Sequence, residues 1–434
     1  MKQMLITFTL CTMALLGNSQ ANWSWTKLAD LPISTSNNAV VEVISNTGKY
    51  VYSFGGISAS LTQSDIHQRV FKYDVSQDSW TEMDEIPDTS GKIASSASFV
   101  NGKIYLIGGY HVASNGNETS SNKVHIYNPS LDTFEADGNP IPIPIDDHVQ
   151  AVWKDSLIYV ITGWSNTGNV PDVQIYNPKL NSWMMGTPTP NTSFYKSSGA
   201  SGYILGDTIF YFGGVKDYPT FESSNILRKG IIDKNDPTLI DWTLINSGNG
   251  EPLYRGACSG HNETVFWIGG SKEAYNFNAL EYYTNLPVKP NQRIYEVDLD
   301  KKTQSNIYNS QTQGMDLRGI AKLGGGNWII AGGIDSLQQA TKNTYLLHNP
   351  KLSDIGKANK PPLFKIKSNG DYFDVMTENI GEVIVYDIQG RILYRTNKQL
   401  ADLKIHKSKL QRGMLIFAYD DSINLPIVIK KIHP

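Results

Sequence analysis

The chain is poor in cysteine: its 434 residues hold two, Cys11 and Cys258. Cys11 falls in an apolar leader, so the remaining Cys258 has no partner for an internal disulfide. Stability must then come from a large core, even in an oxidising setting. Cys258 sits in an apolar, small-residue run (Gly256-Ala257-Cys258), which reads as a buried, inert thiol. Charge is also scarce, at 18% of residues, against 11% aromatics and 37 glycines. That balance excludes a charged disordered chain and suits packed β structure. No segment beyond the leader is apolar over the roughly 20 residues that a helical membrane span requires. No His-x-x-x-His pair or Cys/His cluster suggests a metal site. A Gly-x-Ser-x-Gly elbow and a phosphate loop are both absent, so no cofactor is expected.

The leader itself has a secretory pattern. Lys2 gives a positive start, residues 4–17 are apolar, and Ser19-Gln20-Ala21 ends the run with small-x-small. Residues 1–21 therefore read as a signal peptide cleaved after Ala21, which makes the protein secreted or displayed at a cell surface. Charge is uneven beyond it. Residues 22–350 hold 23 basic and 32 acidic residues, net −9, whereas the stretch from Lys351 onward holds 14 and 9, net +5. A net-acidic main domain argues against nucleic acid as a partner. The sign change near residue 351 marks a domain boundary.

One short pattern recurs. Tyr52-Ser53-Phe54-Gly55-Gly56 is followed by Tyr105-Leu106-Ile107-Gly108-Gly109 and Tyr159-Val160-Ile161-Thr162-Gly163. Phe210-Tyr211-Phe212-Gly213-Gly214, Phe266-Trp267-Ile268-Gly269-Gly270 and Ile329-Ile330-Ala331-Gly332-Gly333 complete the set. Successive first positions are 53, 54, 51, 56 and 63 residues apart, the spacing of a repeat architecture. Within each unit an apolar strand, a tight turn such as Asn101-Gly102 and the strand ending in Gly-Gly come in order. A variable loop follows, then a strand ending in Tyr with an aromatic seven residues on: Tyr73 and Trp80, Tyr127 and Phe134, Tyr176 and Trp183. Each unit is thus a four-stranded antiparallel meander. The glycines leave room for a close neighbour, and the outer Tyr and Trp rings are the expected cover. Units four and five fit least well, with Trp242 and Tyr295 as the candidate outer rings.

This grammar resembles the kelch repeat over about residues 23–350, carried by the Gly-Gly pairs and the Tyr-x6-Trp/Phe pairs. The resemblance implies an all-β protein whose residues 22–350 form a six-bladed kelch β-propeller. The last unit lacks a fourth strand with a Trp. The segment Trp23-Ser24-Trp25-Thr26-Lys27-Leu28 supplies one, so the N-terminal strand is expected to complete the last blade.

Residues 351–362 are polar, end in Pro-Pro and read as a linker. Residues 363–434 alternate like strands around the hairpin signal Gln389-Gly390 and read as a small C-terminal β-sandwich. This tail resembles the sorting domain of the type IX secretion system, through Val385-Tyr386-Asp387, Gly390-Arg391, Leu410 to Gly413 and Lys430-Lys431-Ile432. It departs from that pattern at Met414-Leu415, where an aromatic is usual. The resemblance implies the type IX secretion machinery as a partner. The alternative is an accessory sandwich.

Strand direction places the long loops 110–122, 164–171, 215–225 and 271–291 on one face, where ligands of a rigid scaffold are expected. Counting back seven residues from the tight turn in units three, five and six gives His148, Arg255 and Arg318. Lys92 and Lys196 sit slightly earlier in units two and four, while Asn37 and Asn38 occupy unit one. Tyr195 and Tyr254 precede two of these cations, and Tyr110 and Trp164 open two of the loops. A basic ring at one opening would focus anions, arginine binds carboxylates in bidentate fashion, and rings stack on sugars. Asp146 and Asp147 beside His148 are placed to neutralise it, and a purely structural role between blades fits the same pattern.

The expected ligand is accordingly a carbohydrate, with an anionic one among the candidates, or a protein. Kelch-like copper oxidases need a cysteine linked to a tyrosine, and the only mature cysteine here lies in a strand, so that chemistry is excluded. Secreted six-bladed kelch proteins include the N-acetylneuraminate epimerases, whose glutamate and arginine closely follow the fourth Gly-Gly. Here Val215 follows Gly214, and the nearest such pair, Glu222 and Arg228, lies deeper in the loop. These two are the candidate catalytic residues of the alternative, a sugar mutarotase.

Overall fold

A computed structural model describes residues 23–247, 250–308, 314–353, 365–376, 381–398, 403–410, 412–420 and 427–433. The leader expected over 1–21 and most of the linker expected over 351–362 lie outside them. The chain divides into two compact units, Met1–Ser353 and Asp354–Pro434.

In the first unit, six antiparallel sheets of four or five strands follow the repeat, and Trp164–Ser165 pairs with Gly168–Asn169 in a separate two-stranded ribbon. The second sheet shows how local sequence dictates its shape. Ile93–Val100 alternates small or apolar residues, and Asn101 and Gly102 both adopt left-handed conformations (φ 49° and 79°). This is the backbone a two-residue hairpin needs, and Lys103–Val112 returns alongside. Val124–Asn128 and Thr133–Phe134 add the outer strands, with the Tyr127 and Phe134 rings 4.9 Å apart. The same ring pair recurs at Tyr73–Trp80 (5.1 Å) and Tyr176–Trp183 (4.9 Å). In the fourth sheet Trp242 instead covers Gly230, its cross-strand neighbour. In the last sheet, the N-terminal strand Ser24–Lys27 pairs with Thr344–His348 and sets Trp25 opposite Leu347.

The Gly-Gly pairs do more than terminate strands, and the outer rings do not cover them. A side chain at Gly108, Gly213, Gly269 or Gly332 would meet a backbone carbonyl of the segment leading into the next sheet, at 2.1–2.4 Å. The second glycine donates its N–H to that same carbonyl: Gly109 to Ile145 (3.0 Å), Gly214 to Leu253 (2.7 Å) and Gly270 to Gly314 (3.0 Å). Gly56 does so to Lys92 (3.3 Å), and Gly333 reaches Thr35 (2.9 Å), joining the last sheet to the first. In the third unit, Thr162 replaces the glycine and exchanges hydrogen bonds with Ser197 through its hydroxyl. The glycines are therefore intersheet joints, conserving the close approach that no side chain permits.

Apolar clusters fill the spaces between successive sheets. Val41, Tyr52 and Phe54 pack on Ile104, Leu106 and Tyr127; Phe210, Phe212 and Leu227 pack on Val265, Trp267 and Tyr295. Val40, Val51 and Phe71 of the first sheet pack on Ala321, Leu323 and Ile329 of the last. Fully burying each such side chain is worth about 1.5–3 kcal/mol, so the core rather than crosslinks holds the fold. Cys258 is free and half-buried, not fully buried as its run suggests, because its strand lines a space of about 230 Å3 between the first strands of the six sheets.

In the second unit, a three-stranded sheet (Lys365–Asn369, Tyr372–Met376, Leu403–His406) and a four-stranded sheet centred on Gly381–Tyr386 and Gly413–Asp420 share one core. Phe373 and Phe417 meet across it at 5.2 Å.

Candidate functional site

Before or at the start of its first strand, each sheet carries one residue in the left-handed region: Asn37, Ala94, Asp147, Gly199, Arg255 and Asp316. Hydrogen bonds link these six positions in a circle. Asp147 N–H donates to Ala94 O (3.2 Å), Gly199 to Asp147 (2.8 Å), Arg255 to Gly199 (2.9 Å), Leu317 to Arg255 (2.9 Å) and Asn37 to Asp316 (3.0 Å). The sixth link is made by a side chain, with Ala94 N–H donating to Asn37 Oδ1 at 2.7 Å. No single residue type occupies these positions, so the sequence carries no signal for them.

Three of the six, Asp147, Arg255 and Asp316, form a buried charge cluster. Arg255 is 1% exposed, and its guanidinium lies between two carboxylates. Its Nη2 stands 2.5 Å from Asp147 Oδ2 and its Nη1 3.2 Å from Asp316 Oδ1. The rings of Tyr254 (5.1 Å) and Tyr275 (5.5 Å) face its charge. Burial opposes the charge on Arg255, but Asp147, the phenols of Tyr254 and Tyr110, and Asp316 outweigh it and raise its pKa well above the usual value. Asp147 is likewise held below the usual carboxylate range, because Arg255 and Arg318 overcome the cost of its burial. Arg318 stands 3.5 Å from Asp147 and donates to His148 O (2.9 Å) and Ser96 Oγ (3.1 Å).

Above this cluster lies a cavity of about 70 Å3 where Tyr110, Trp164, Tyr254 and Arg255 meet Glu118, Asp146, Phe221 and Tyr282. Each of the four long loops contributes to its wall. Asp146 is enclosed and accepts a hydrogen bond from Ser120 Oγ (2.5 Å). Burial and the neighbouring Asp147 push its carboxyl well above the ordinary range. Glu118 is pushed up in the same direction, chiefly by desolvation. It stays open to solvent, so Asp146 is the firmer proton holder. Asp146 and Asp147 are adjacent in sequence yet driven to opposite protonation states, an arrangement found where acid and base roles are divided.

The expected basic ring is not left free. Lys92 is buried 3.2 Å from Asp88, and burial lowers its pKa to about 8 against that carboxylate. Lys196 pairs with Asp217 at 3.0 Å, and Tyr195 offers its carbonyl to Tyr211. Neither lines the mouth cavity. His148 is fully enclosed; burial and Arg318 hold it neutral, with its pKa down to about 3. His148 and Arg318 instead line the space of about 230 Å3 between the first strands of the six sheets. The cations face carboxylates because folding an unpaired charge into this interior would cost several kcal/mol.

The candidate catalytic pair is separated. Glu222 is 66% exposed in its side chain and paired with Lys216 at 2.6 Å. Arg228 is fully buried, donating to the carbonyls of Phe194 (2.7 Å) and Gly213 (2.6 Å). Tyr282 is one of the rings Tyr275, Phe277, Tyr282 and Tyr283 that the sequence of loop 271–291 offers as a sugar platform, whereas Glu118, Asp146 and Phe221 were not legible as site residues. Their only signal was membership of the long loops or, for Asp146, adjacency to His148. Among the described residues no group of three or more His, Cys, Asp or Glu is placed to hold a metal ion. No helix among them is long and apolar enough to cross a membrane.

Comparison with known proteins gives this geometry a family. The chain is 24% identical over 337 residues to the N-acetylneuraminate epimerase of Vibrio cholerae, covering 74% of this chain and 79% of that protein. It is 31% identical over 141 residues to the Kelch repeat and BTB domain-containing protein 12 of Danio rerio, 30% of this chain but only 22% of that much longer protein. A solved structure described as "Structure of YjhT" superimposes with a TM-score of 0.58 at 16% identity, over 73% of this chain and 95% of that one, which shows a shared fold. Residues 37–270, more than half of the chain, match the family described as the KLHDC2/KLHL20/DRC7 Kelch-repeats domain, and the chain belongs to this kelch-repeat family.

Proposed function

We propose that the six sheets are the blades of a closed propeller, secreted or displayed at the cell surface, that binds a carbohydrate at the loop-bearing mouth. The Gly333–Thr35 joint and the Ser24–Lys27 strand support closure. The leader pattern supports export, and the tail is a type IX sorting sandwich on this reading, supported by its two sheets around one core. The observation that carries the binding site is the mouth cavity. There aromatic rings, carboxyls and an arginine converge on a rigid ring of hydrogen bonds. Rings offer faces for C–H surfaces, and Glu118 and Asp146 offer partners for hydroxyls. Because Arg255 is already paired with two carboxylates, the site suits a hydroxyl-rich edge better than a lone anion. A protein ligand remains the competing occupant.

The test is a glycan array probed with the full chain and with Trp164→Ala. Saccharide binding that falls about tenfold or more in the variant supports the reading; absence of binding to every saccharide removes it.

A second reading, sugar mutarotation, is favoured by the raised carboxyl of Asp146 and by the likeness to N-acetylneuraminate epimerase. Ring opening needs a proton delivered to the ring oxygen and one withdrawn from the anomeric hydroxyl. Asp146, not Glu222, is placed to deliver it. Anomer exchange of N-acetylneuraminate followed by NMR should quicken with the full chain and lose that gain in Asp146→Asn. No acceleration by the wild-type chain rejects it.

A further inference from the structure

The mouth cavity is too small to enclose a whole sugar. At about 70 Å3 it falls well below the roughly 300–1,000 Å3 of a small-ligand pocket. If the mouth binds a saccharide, most of that ligand lies elsewhere. Adjoining the cavity is an open groove of about 770 Å3 between loop 216–225 and loop 269–292. Its size is that of a pocket for a drug-sized ligand.

Phe221 belongs to both spaces. On the mouth side its ring stacks on Tyr282 at 4.7 Å and stands 5.8 Å from Trp164. On the groove side it stands 6.4 Å from Tyr283. Its backbone is held at φ 35°, a conformation a bulky residue rarely adopts, so the ring is placed at this boundary against local preference. The longer loop is fixed beneath the groove by the bridges Tyr275–Glu281, Leu280–Pro287 and Ser271–Pro290. A groove held in this way loses little ordering entropy when it binds.

The lining selects among occupants. Tyr283 is 53% exposed and Leu286 63%, which gives an apolar strip along the groove. Around them Lys272, Glu222 and Glu281 are engaged, and Glu273 and Lys289 also line the groove. Lys272 pairs with Glu251 (2.6 Å), Glu222 with Lys216 (2.6 Å), and Glu281 accepts from Thr284 N–H (2.6 Å). Thr220, Ser223 and Thr284 supply hydroxyls between them, and Ser223 Oγ is buried without a hydrogen-bond partner. Tyr283 and Leu286 alone do not make the run of apolar anchors that the face of a docked helix needs. An uncharged chain of alternating C–H faces and hydroxyls matches it.

We propose that the mouth cavity and the rim groove form one elongated site for an oligosaccharide. The polar edge of its terminal unit enters the mouth past Phe221, and the following units lie along Tyr283 and Leu286. This rests on the carbohydrate reading of the mouth and adds chain length as the specificity. The test titrates the full chain with mono-, di-, tri- and tetrasaccharides of glucose, N-acetylglucosamine and mannose, and with N-acetylneuraminate and sialyllactose. For the saccharide series bound, affinity should rise at least tenfold from one unit to three. Leu286→Ala should remove a threefold or greater part of that gain. Leu286 is mostly exposed, so this variant keeps the fold; Tyr283→Phe, which removes only the hydroxyl, should retain the gain. Equal affinity for one and three units, with monosaccharide still bound, overturns the elongated site and leaves the mouth reading standing. Binding of no saccharide at any length overturns both, as does saccharide-independent capture of a peptide from an array.

Discussion

Two arginines, Arg228 and Arg255, are both fully enclosed, and their surroundings differ in one respect. Arg255 lies between Asp147 and Asp316, and its charge is balanced. Arg228 meets neutral acceptors, the carbonyls of Phe194, Gly213 and Ile226 and the hydroxyl of Ser224, with the Tyr211 ring at 5.1 Å. Desolvation therefore dominates at Arg228 and lowers its pKa to about 10, whereas the carboxylates raise that of Arg255. Arg228 ties the strand Ile226–Ile232 to its own sheet and to the loop before Tyr195. Arg255 ties three sheets together beneath a cavity. Burial alone does not mark a site; what an arginine neutralises, and what opens above it, does.

The largest expected effect breaks the paired cluster. Arg255→Met leaves Asp316 enclosed without its cation and Asp147 with Arg318 alone, and should cost about 3–5 kcal/mol in urea unfolding of the full chain. Arg228→Met leaves carbonyls unsatisfied but also removes a desolvated charge, so about 1–2 kcal/mol is expected. Equal losses would mean that the carboxylates beside Arg255 contribute little, and the distinction would fail.

The family was legible because its signal is periodic and steric. Gly-Gly recurs since each pair is a joint at which a carbonyl of the next sheet occupies the place of a side chain. The reading of those glycines as seats for aromatic rings was incorrect, since intersheet contacts do not show in local sequence. The site was legible in part. Tyr110, Trp164, Tyr254 and Arg255 do share one cavity, because position relative to the tight turn fixes which end of a strand a residue occupies. Charge balance was not legible. Asp316 reaches Arg255 from 61 residues away and Asp147 from 108, so an apparent ring of cations in the sequence is a set of ion pairs in the fold.

His148 offers an intermediate effect on the same cluster. Its pKa is lowered from 6.5 to about 3. Between those values the unfolded chain takes up a proton that the folded protein refuses, so stability falls as pH drops below about 6.5. From pH 6.5 to 5 this amounts to about 2 kcal/mol. Asp146 works in the opposite sense, since its raised pKa lets the folded protein bind a proton that the unfolded chain releases. His148→Gln should therefore flatten the acid limb of a stability–pH curve, and Asp146→Asn should steepen it. Parallel curves for wild type and both variants would show that neither group titrates differently in the fold.

The smallest expected effect lies at the rim. Glu222 and Lys216 form an exposed pair, and such pairs contribute about 0–1 kcal/mol. Glu222→Gln should shift the unfolding midpoint by less than the Arg228 variant does. It should also leave any anomer exchange by the wild-type chain intact, because its carboxyl faces solvent and a lysine rather than the mouth. If Glu222→Gln abolished that exchange while Asp146→Asn kept it, the acid would sit on the rim, and the ligand's reacting end would lie in the groove instead of above Arg255.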